Sequence, residues 1–186
     1  CIRDSIKYLR KDLLPHSFCP GCGCGQIMNY FLYAIEELKM DIDNIVLVTG
    51  VGCSARIPVY INTYIIHGVH GRGLPIATGI KLANPELNVV IFTGDGDCAA
   101  IGGNHFIQAA RRNLDVTVIL VNNRIYGMTG GQVAPTTPHN AITSTSPIGN
   151  LEDPFDLCKL AEAAGATYVA RSTTAHPRLT IDLSLI

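Results

Sequence analysis

The run Val89-Val90-Ile91-Phe92-Thr93-Gly94-Asp95-Gly96-Asp97 decides the fold. Its first five residues are all β-branched or aromatic, and turn-forming residues follow them at once. Because a short, continuous apolar run bounded by turn residues is typical of a strand buried on both faces, we predict such a strand at residues 89–93. The glycines and aspartates after it predict a tight polar loop.

The same pattern occurs twice more along the chain. Residues 45–49 run into Gly50-Val51-Gly52-Cys53-Ser54, and residues 116–121 run into Asn122-Asn123-Arg124-Ile125-Tyr126-Gly127. Helical spacing of apolar residues occurs between and beyond these strands, at residues 26–39, 74–83, 105–112 and 155–164, and a further short strand is predicted at 167–169. Alternation of strands and helices predicts an α/β domain with an open, mostly parallel sheet and helices on both faces.

We therefore predict that residues 1–186 form a single domain with an N-terminal cysteine-rich loop at 16–25, preceded by a short amphipathic stretch at 5–14. In an open parallel sheet the carboxyl ends of the strands share one edge, where ligands bind. The three loops that follow the predicted strands are thus expected to form one site.

Composition excludes several classes of protein. Apolar residues make up 47% of the chain and charged residues 16%, against a usual charged share of about 25%, which excludes a disordered protein. The net charge of −1, without any block of like charge, argues against a nucleic-acid partner. The apolar runs are far shorter than the roughly 20 residues of a membrane span. With seven cysteines, an odd number, and no secretory apolar region near the start, we expect a cytoplasmic location.

Polar residues at the predicted edge suit a phosphate and a metal ion. Gly94 and Gly96 permit close backbone approach to an anion, Asp95 offers a carboxylate, and Asn123 offers an amide oxygen. Taken separately, Gly-Asp-Gly is more often a turn and Asn-Asn is often a helix cap. A dinucleotide-binding domain is the competing class, but residues 50–52 lack the third glycine of its fingerprint.

The cysteines form a second group. Cys19-Pro20-Gly21-Cys22 can direct two thiolates at one metal centre, and Cys53 lies in the glycine loop after the first strand. A thioredoxin-like redox pair is disfavoured because such a pair normally follows a strand, and none precedes Cys19. Iron–sulfur and zinc sites both remain open on spacing alone.

Gly-Asp-Gly followed by Asn-Asn across one βαβ unit resembles the diphosphate-binding motif of thiamine diphosphate enzymes. This resemblance implies that the side chains of Asp95 and Asn123 and the main-chain carbonyl of Ile125 bind Mg²⁺.

A closer resemblance, to the β subunit of 2-oxoacid:ferredoxin oxidoreductases of the 2-oxoglutarate type, covers nearly the whole chain. It rests on the motifs at residues 9–16, 19–23, 50–54, 67–75, 94–97 and 126–132. The resemblance implies that Cys19, Cys22 and Cys53 hold a [4Fe-4S] cluster. The family's fourth ligand is expected in a C-terminal tail beyond residue 186, with Cys24 as a local alternative.

The resemblance also implies a wider set of site residues. Residues expected to bind the cofactor are Gly52, Cys53, Ser54, His70, Gly94, Gly96, Asp97, Asn123, Gly127 and Met128. Residues expected to act on the substrate or diphosphate are Arg56, His70 and Thr129. Each has a plainer interpretation as well: Arg56 as a surface arginine, His70 as a structural histidine, and Thr129 as a loop cap.

The implied activity is the coenzyme A-dependent oxidative decarboxylation of a 2-oxoacid, with electrons passing through the cluster to ferredoxin. 2-Oxoglutarate is favoured as substrate, and pyruvate and branched-chain oxoacids stay possible. A partner α subunit, forming a hetero-oligomer, would carry the pyrimidine-binding domain and its activating glutamate, since no glutamate of this chain suits that task. Two other hypotheses stay open: a zinc-binding structural or assembly subunit with a degenerate cofactor site, and a cluster-free thiamine diphosphate decarboxylase or synthase.

Overall fold

Four strands, all parallel, form one sheet in a computed structural model that describes residues 6–183. The strands are β1 (Ile45–Thr49), β2 (Tyr64–His67), β3 (Asn88–Gly94) and β4 (Thr117–Val121), in the spatial order β2-β1-β3-β4. The α-helices are α1 (Cys24–Leu38), α2 (Gly73–Ala83), α3 (Gly103–Arg112), α4 (Leu157–Ala163) and α5 (Pro177–Leu183). A short π-helix, Gly96–Ile101, begins within the segment predicted as a loop after residue 93, and it contains Asp97.

Alternate residues of the central strands β1 and β3 pack into two apolar layers, one on each face of the sheet. On one face, α1 packs Phe31 and Ile35 against Leu47 and Phe92, and the rings of Phe31 and Phe92 meet edge to face with centroids 5.1 Å apart. On the other face, α2 and α3 pack against the alternate strand residues that point to that side. Leu74 of α2 and Phe106 of α3 lie in one cluster with Val48 of β1 and Ile91 of β3. Because strand side chains point alternately to the two faces, helices cover both sides. The predicted α/β architecture is confirmed.

Three of the predicted strands are present, with bounds within one residue of the prediction. The expectation of burial on both faces holds for β1 and most of β3, but it is wrong for β4. Within residues 6–183, β4 pairs only with β3, so its side chains are half-buried or exposed.

Two local predictions were incomplete or wrong. Strand β2 was missed because its four residues are mostly exposed at the sheet edge and are too short to give a clear period. The strand predicted at 167–169 does not form. There the backbone N–H and hydroxyl of Thr167 both donate to Asn113 Oδ1, at 3.3 and 3.1 Å. The side chain of Asn113 therefore accepts the backbone hydrogen bond that a neighbouring strand would otherwise accept.

The ends of the chain contain short helical elements. The amphipathic stretch at 5–14 gives two short 3₁₀ turns, Ile6–Tyr8 and Lys11–Leu13, and residue 5 lies outside the described residues. The helix predicted at 155–164 is the shorter α4, where the side chain of Asp156 caps the backbone N–H groups of Cys158 and Lys159. In the described part of the chain no helix is long and apolar enough to cross a bilayer.

Gly71, between β2 and α2, is required where the chain turns at the carboxyl edge of the sheet. Its φ is +72°, and an added Cβ would lie 2.8 Å from the backbone nitrogen of Gly102. We expect Gly71→Ala to lower the free energy of unfolding by about 1–3 kcal/mol, because neither backbone can yield easily. The matched control is Gly79→Ala within α2, where an added Cβ meets nothing within 4 Å. This variant should raise the free energy of unfolding by about 0.5–1 kcal/mol. Urea unfolding of both variants tests this, and equal stabilities would contradict it.

Candidate functional site

The structure brings the three predicted loops together at the carboxyl edge of the sheet. The loop after β1 reaches the loop after β3 through a hydrogen bond of 3.1 Å from Val51 N–H to Asp97 Oδ1. The loop after β4 reaches it through a hydrogen bond of 2.8 Å from Arg124 N–H to Asp95 Oδ2. The two aspartates of the Gly-Asp-Gly-Asp run therefore hold neighbouring loops on either side of β3.

The carboxylate of Asp97 forms hydrogen bonds that hold several of these loops in place. Its side chain is only 3% exposed and accepts four hydrogen bonds. Oδ1 accepts from Val51 N–H at 3.1 Å, Gly71 N–H at 2.8 Å and His70 Nδ1 at 2.5 Å, and Oδ2 accepts from the hydroxyl of Thr93 at 2.8 Å. Both carboxylate oxygens are thus occupied by protein donors.

His70 takes its orientation from this carboxylate. With Nδ1–H donating to Asp97, the other ring nitrogen, Nε2, forms no hydrogen bond to any residue between 6 and 183. The ring also contacts Tyr126 edge to face, with centroids 6.2 Å apart. The geometry leaves Nε2 available for a ligand, and Nε2 can donate to a phosphate when both ring nitrogens carry protons, because Nδ1–H is already used by Asp97.

Replacement of Asp97 by asparagine tests its role in holding the loops. We expect Asp97→Asn to lower the free energy of unfolding by about 1.5–3 kcal/mol, because a neutral amide oxygen accepts more weakly than a carboxylate oxygen from the three N–H donors that converge on Oδ1. Urea unfolding provides the measurement. Asp153→Asn, at a side chain that is 99% exposed, is the matched control and should change stability by less than about 0.5 kcal/mol. A stability equal to that of the unmodified chain would contradict the role of Asp97.

Asp95 is a buried carboxylate without a cationic partner. It is 2% exposed, and none of the ion pairs within residues 6–183 includes it. Burial raises its pKa, and hydrogen bonds from Thr136 and from the amides of Gly96 and Arg124 oppose that rise. A divalent cation would supply the missing positive charge, so the site fits one.

The oxygens predicted to accompany Asp95 lie in the loop that Asp95 holds. Asn123 is exposed, and its Oδ1 accepts a long bond of 3.4 Å from Ile125 N–H. The carbonyl oxygen of Ile125 accepts no hydrogen bond from the described residues. A carboxylate, an amide and a main-chain carbonyl are the hard donors that Mg²⁺ prefers, and they leave room for phosphate oxygens.

Tyr126 explains why glycine is needed at position 96. Its hydroxyl donates to the carbonyl of Gly96 at 3.2 Å, and an added Cβ on Gly96 would lie 2.2 Å from the tyrosine ring. Burial raises the pKa of Tyr126, and the nearby carboxylates of Asp95 and Asp97 raise it further. Packing within the chain thus accounts for this glycine independently of any cofactor.

The glycine loop after β1 connects this edge to the cysteines. Ser54 is buried with its hydroxyl against Gly94, at 3.2 Å from where a Cβ would stand. Cys53 is half-buried at the start of the helical turn Ser54–Arg56. Arg56 is exposed and makes no ion pair or hydrogen bond through its side chain with the described residues. Its guanidinium is therefore free to meet an anion.

The cysteine-rich loop is anchored beside Cys53. Ser17 N–H donates to the hydroxyl of Tyr60 at 2.9 Å, and the ring of Phe18 packs edge to face on that of Tyr60 at 5.5 Å. Tyr60 ends the turn that shortly follows Cys53, so this anchor brings the two cysteine segments together.

The thiols of this region influence one another. Cys19 and Cys22 are exposed, and they add to the effect of burial in raising the pKa of Cys53. Cys24, the first residue of α1, is buried in the core, and burial, together with its cysteine neighbours, raises its pKa to about 12. Cys98 is buried apart from them, and burial raises its pKa strongly.

Cys19, Cys22 and Cys53 carry free thiols. Among residues 6–183, no three His, Cys, Asp or Glu side chains are grouped so that they could hold one metal ion.

The predicted residues 127–129 form an exposed turn that projects from the edge. Tyr126 N–H donates to the carbonyl of Gln132 at 3.0 Å, which closes the turn. Thr129 is occupied inside it, because its hydroxyl donates to Gln132 Oε1 at 2.6 Å. Gly127 and Met128 are exposed. Within residues 6–183 the Thr129 hydroxyl hydrogen-bonds only to Gln132.

Comparison with known proteins places the chain in a family. Over residues 50–182 the sequence matches the family described as thiamine pyrophosphate enzyme, C-terminal TPP binding domain. The chain belongs to this family. The matched residues include the glycine loop, the Gly-Asp-Gly-Asp run and the loop after β4, which are the three segments that meet at the sheet edge.

This TPP-binding domain is similar to named subunits of known enzymes. It is 60% identical over 173 residues to the 2-oxoglutarate synthase subunit KorB of Methanocaldococcus jannaschii, covering 93% of this chain and 64% of that protein. It is 48% identical over 155 residues to the 2-oxoglutarate oxidoreductase subunit KorB of Mycobacterium tuberculosis, covering 83% of this chain and 42% of that protein.

A solved structure agrees with the fold. It is the 2-oxoglutarate:ferredoxin oxidoreductase from Magnetococcus marinus with 2-oxoglutarate, coenzyme A and succinyl-CoA bound, and it matches with a TM-score of 0.94 and 37% identity over 97% of this chain and 62% of that chain. The resemblance inferred from the motifs is confirmed by these similarities. The chain spans less than two thirds of the length of each of these relatives.

Several residues that shape the site of this TPP-binding domain were missed by sequence reasoning. They are Thr93, Tyr126, Thr136, Thr137 and Asn150. Thr136 is 41 positions from Asp95, to which it donates a hydrogen bond, so no local spacing connects the two. The Thr-Thr pair at 136–137 within a proline-bounded loop was the available signal, and it indicates only a turn.

Proposed function

We propose that this chain is the cofactor-binding part of the β subunit of a 2-oxoacid:ferredoxin oxidoreductase that acts on 2-oxoglutarate. The names of its relatives support the proposal. The observation that carries it is the loop after β1. There Cys53 lies near Cys19 and Cys22, and Ser54, the next residue, lies against Gly94 of the Gly-Asp-Gly-Asp run. An electron-accepting cluster and a diphosphate site would thus be one residue apart along the chain.

In this proposal Asp95, Asn123 and the carbonyl of Ile125 hold Mg²⁺, and Cys19, Cys22 and Cys53 contribute to a [4Fe-4S] cluster. Thiamine diphosphate, when bound, supplies an electron sink for decarboxylation of a 2-oxoacid. The backbone of residues 94–96, 127 and 128 would approach the diphosphate. The fourth cluster ligand would come from another segment, because Cys24 is packed into the apolar core.

Two cationic or polar side chains are assigned to anion recognition. Arg56 is exposed, and its side chain forms no ion pair or hydrogen bond within residues 6–183, which suits a planar carboxylate of the substrate or the diphosphate. His70 is oriented through Nδ1 by Asp97, and its Nε2, which bonds to none of the described residues, would donate to phosphate when both ring nitrogens carry protons.

A partner α subunit would complete the site. Val51, Ile101 and Met128 are large apolar residues exposed at or near the carboxyl edge, at 40%, 53% and 48%. Exposed apolar groups beside polar loops are typical of a surface that another chain covers. That chain would supply the pyrimidine-binding domain, and coenzyme A and ferredoxin would meet the assembled enzyme. A cytoplasmic location, with reduced thiols, completes the proposal.

Assay of the complete native complex, purified without oxygen, tests this function. Ferredoxin reduction is measured with coenzyme A and each of 2-oxoglutarate, pyruvate and a branched-chain 2-oxoacid. We expect 2-oxoglutarate to give the highest kcat/KM, by about tenfold or more, and the protein to contain iron. Highest activity with pyruvate would overturn the substrate, and a colourless protein holding one zinc per chain would favour the zinc-binding subunit. Decarboxylation without ferredoxin reduction would favour a cluster-free enzyme.

A further inference from the structure

The segment from residue 132 to residue 150 folds back over the loop that follows β4 and is tightly bonded to it. The hydroxyl of Thr137 donates to the carbonyl of Arg124 at 2.7 Å and accepts from the backbone N–H of Ala134 at 2.8 Å. Asn150 Nδ2 donates to the carbonyl of Thr137 at 2.9 Å. Thr137 and Asn150 are both buried. Because Ala134 and Thr137 are bonded to each other and Thr137 is bonded to Arg124 and Asn150, the position of Thr136, which precedes Thr137, is fixed.

Thr136 is 3% exposed, and its hydroxyl donates to Asp95 Oδ2. The same oxygen accepts the backbone N–H of Arg124 at 2.8 Å. Two donors from different parts of the chain therefore converge on one carboxylate oxygen. No other side chain within residues 6–183 forms a hydrogen bond to Asp95. With Oδ2 held from two directions, the carboxylate cannot rotate about its Cβ–Cγ bond without breaking both hydrogen bonds.

We propose that Thr136 is a positioning residue for the divalent cation: by holding Oδ2 of Asp95 it reserves the other oxygen, Oδ1, for the metal. The proposal rests on the proposed function, in which Asp95 is a metal ligand. Residues that hydrogen-bond a ligating carboxylate typically affect metal affinity by about 10- to 100-fold when they are replaced. If the hydroxyl served only to pair its own buried hydrogen-bond donor, its removal would lower stability without changing the affinity for the metal.

Two pairs of variants isolate the hydroxyl of Thr136. Thr136→Val keeps the shape of threonine and removes only the hydroxyl. Thr136→Ser and Thr136→Ala both remove the methyl group and differ from each other by the hydroxyl alone. The control is Thr78→Val in α2, where the hydroxyl donates to the carbonyl of Leu74 within the helix. Asp95→Ala shows the result of losing the ligand itself.

The measurement is the binding of Mn²⁺, used in place of Mg²⁺, to the assembled complex in the presence of thiamine diphosphate. Free Mn²⁺ is followed by its electron paramagnetic resonance signal, and thermal unfolding without metal is recorded for each variant. We expect Thr136→Val and Thr136→Ala to weaken Mn²⁺ binding by about 10- to 100-fold. Thr136→Ser and Thr78→Val should bind within about twofold of the unmodified complex.

The outcomes separate this proposal from the proposed function. Unchanged Mn²⁺ affinity in both Thr136→Val and Thr136→Ala, with loss in Asp95→Ala, would overturn the role of Thr136 and leave the metal site intact. Equal weakening in Thr136→Ser and Thr136→Ala would also overturn it, since the methyl group would then be the cause. If Thr136→Val fails to fold, the comparison of Thr136→Ser with Thr136→Ala tests the role of the hydroxyl. Unchanged binding in Asp95→Ala would overturn both proposals together.

Discussion

Asp95→Ala is expected to abolish the retention of thiamine diphosphate and Mg²⁺ while the iron content stays unchanged. The variant removes a carboxylate that is 2% exposed and that two donors already orient, so no neighbouring side chain can take its place. The loss of affinity should exceed the about 10- to 100-fold that follows from changes outside the ligand shell. Protein-bound thiamine diphosphate, Mg²⁺ and iron are measured after gel filtration of the complex without oxygen.

The control for this experiment is Asp153→Ala, which deletes a carboxylate of 99% exposure and should leave all three contents unchanged. Loss of iron together with thiamine diphosphate in Asp95→Ala would indicate general misfolding and would contradict the separation of the two sites. Full retention of Mg²⁺ would show that Asp95 is not its ligand.

For Cys53→Ala we expect ferredoxin reduction to fall below detection, with thiamine diphosphate binding largely preserved. Cys53 adjoins the exposed thiols of Cys19 and Cys22, and the side chain that lies against Gly94 belongs to the next residue, Ser54. Removing one thiol should therefore disable the cluster without removing the contact at the diphosphate loop. Iron content, electron transfer to ferredoxin and bound thiamine diphosphate are measured in the same preparation.

Cys158→Ala provides a matched control, because Cys158 lies in α4 and contacts Arg171 at 3.3 Å, outside the cysteine group. It should transfer electrons at the rate of the unmodified complex. Unchanged electron transfer in Cys53→Ala would count decisively against Cys53 as a cluster ligand.

The parts of the fold that could be predicted are those whose sequence pattern is local. Strands β1 and β3 form continuous apolar runs because helices cover both of their faces, and the sequence shows this directly. Strand β2 could not be found in this way, since an exposed edge strand of four residues has no distinctive pattern. The segment at 167–169 has the composition of a strand, but Asn113, more than fifty positions earlier, bonds to Thr167 instead.

The candidate site, like the fold, combines residues with a local sequence pattern and residues whose partners are distant in sequence. Glycines and aspartates directly after a strand are visible in sequence, and they led to Asp95 and to the loop that contains Asn123. The partners that hold these residues are distant in sequence. Asp97 illustrates the difference: its place in the Gly-Asp-Gly-Asp run is visible in sequence, whereas three of its four donors, at Val51, His70 and Gly71, lie more than 25 positions away.

The way Asp97 is satisfied also determines which nearby positions can vary during evolution. Two of its four donors are peptide N–H groups, at Val51 and Gly71, which every residue except proline possesses. The hydrogen bond to Asp97 excludes only proline at position 51, where the proposed cover by a partner chain favours an apolar side chain. Position 97 has less latitude, because aspartate is the side chain that offers two carboxylate oxygens at that reach. Natural variants should therefore exchange apolar residues at position 51 and keep aspartate at position 97.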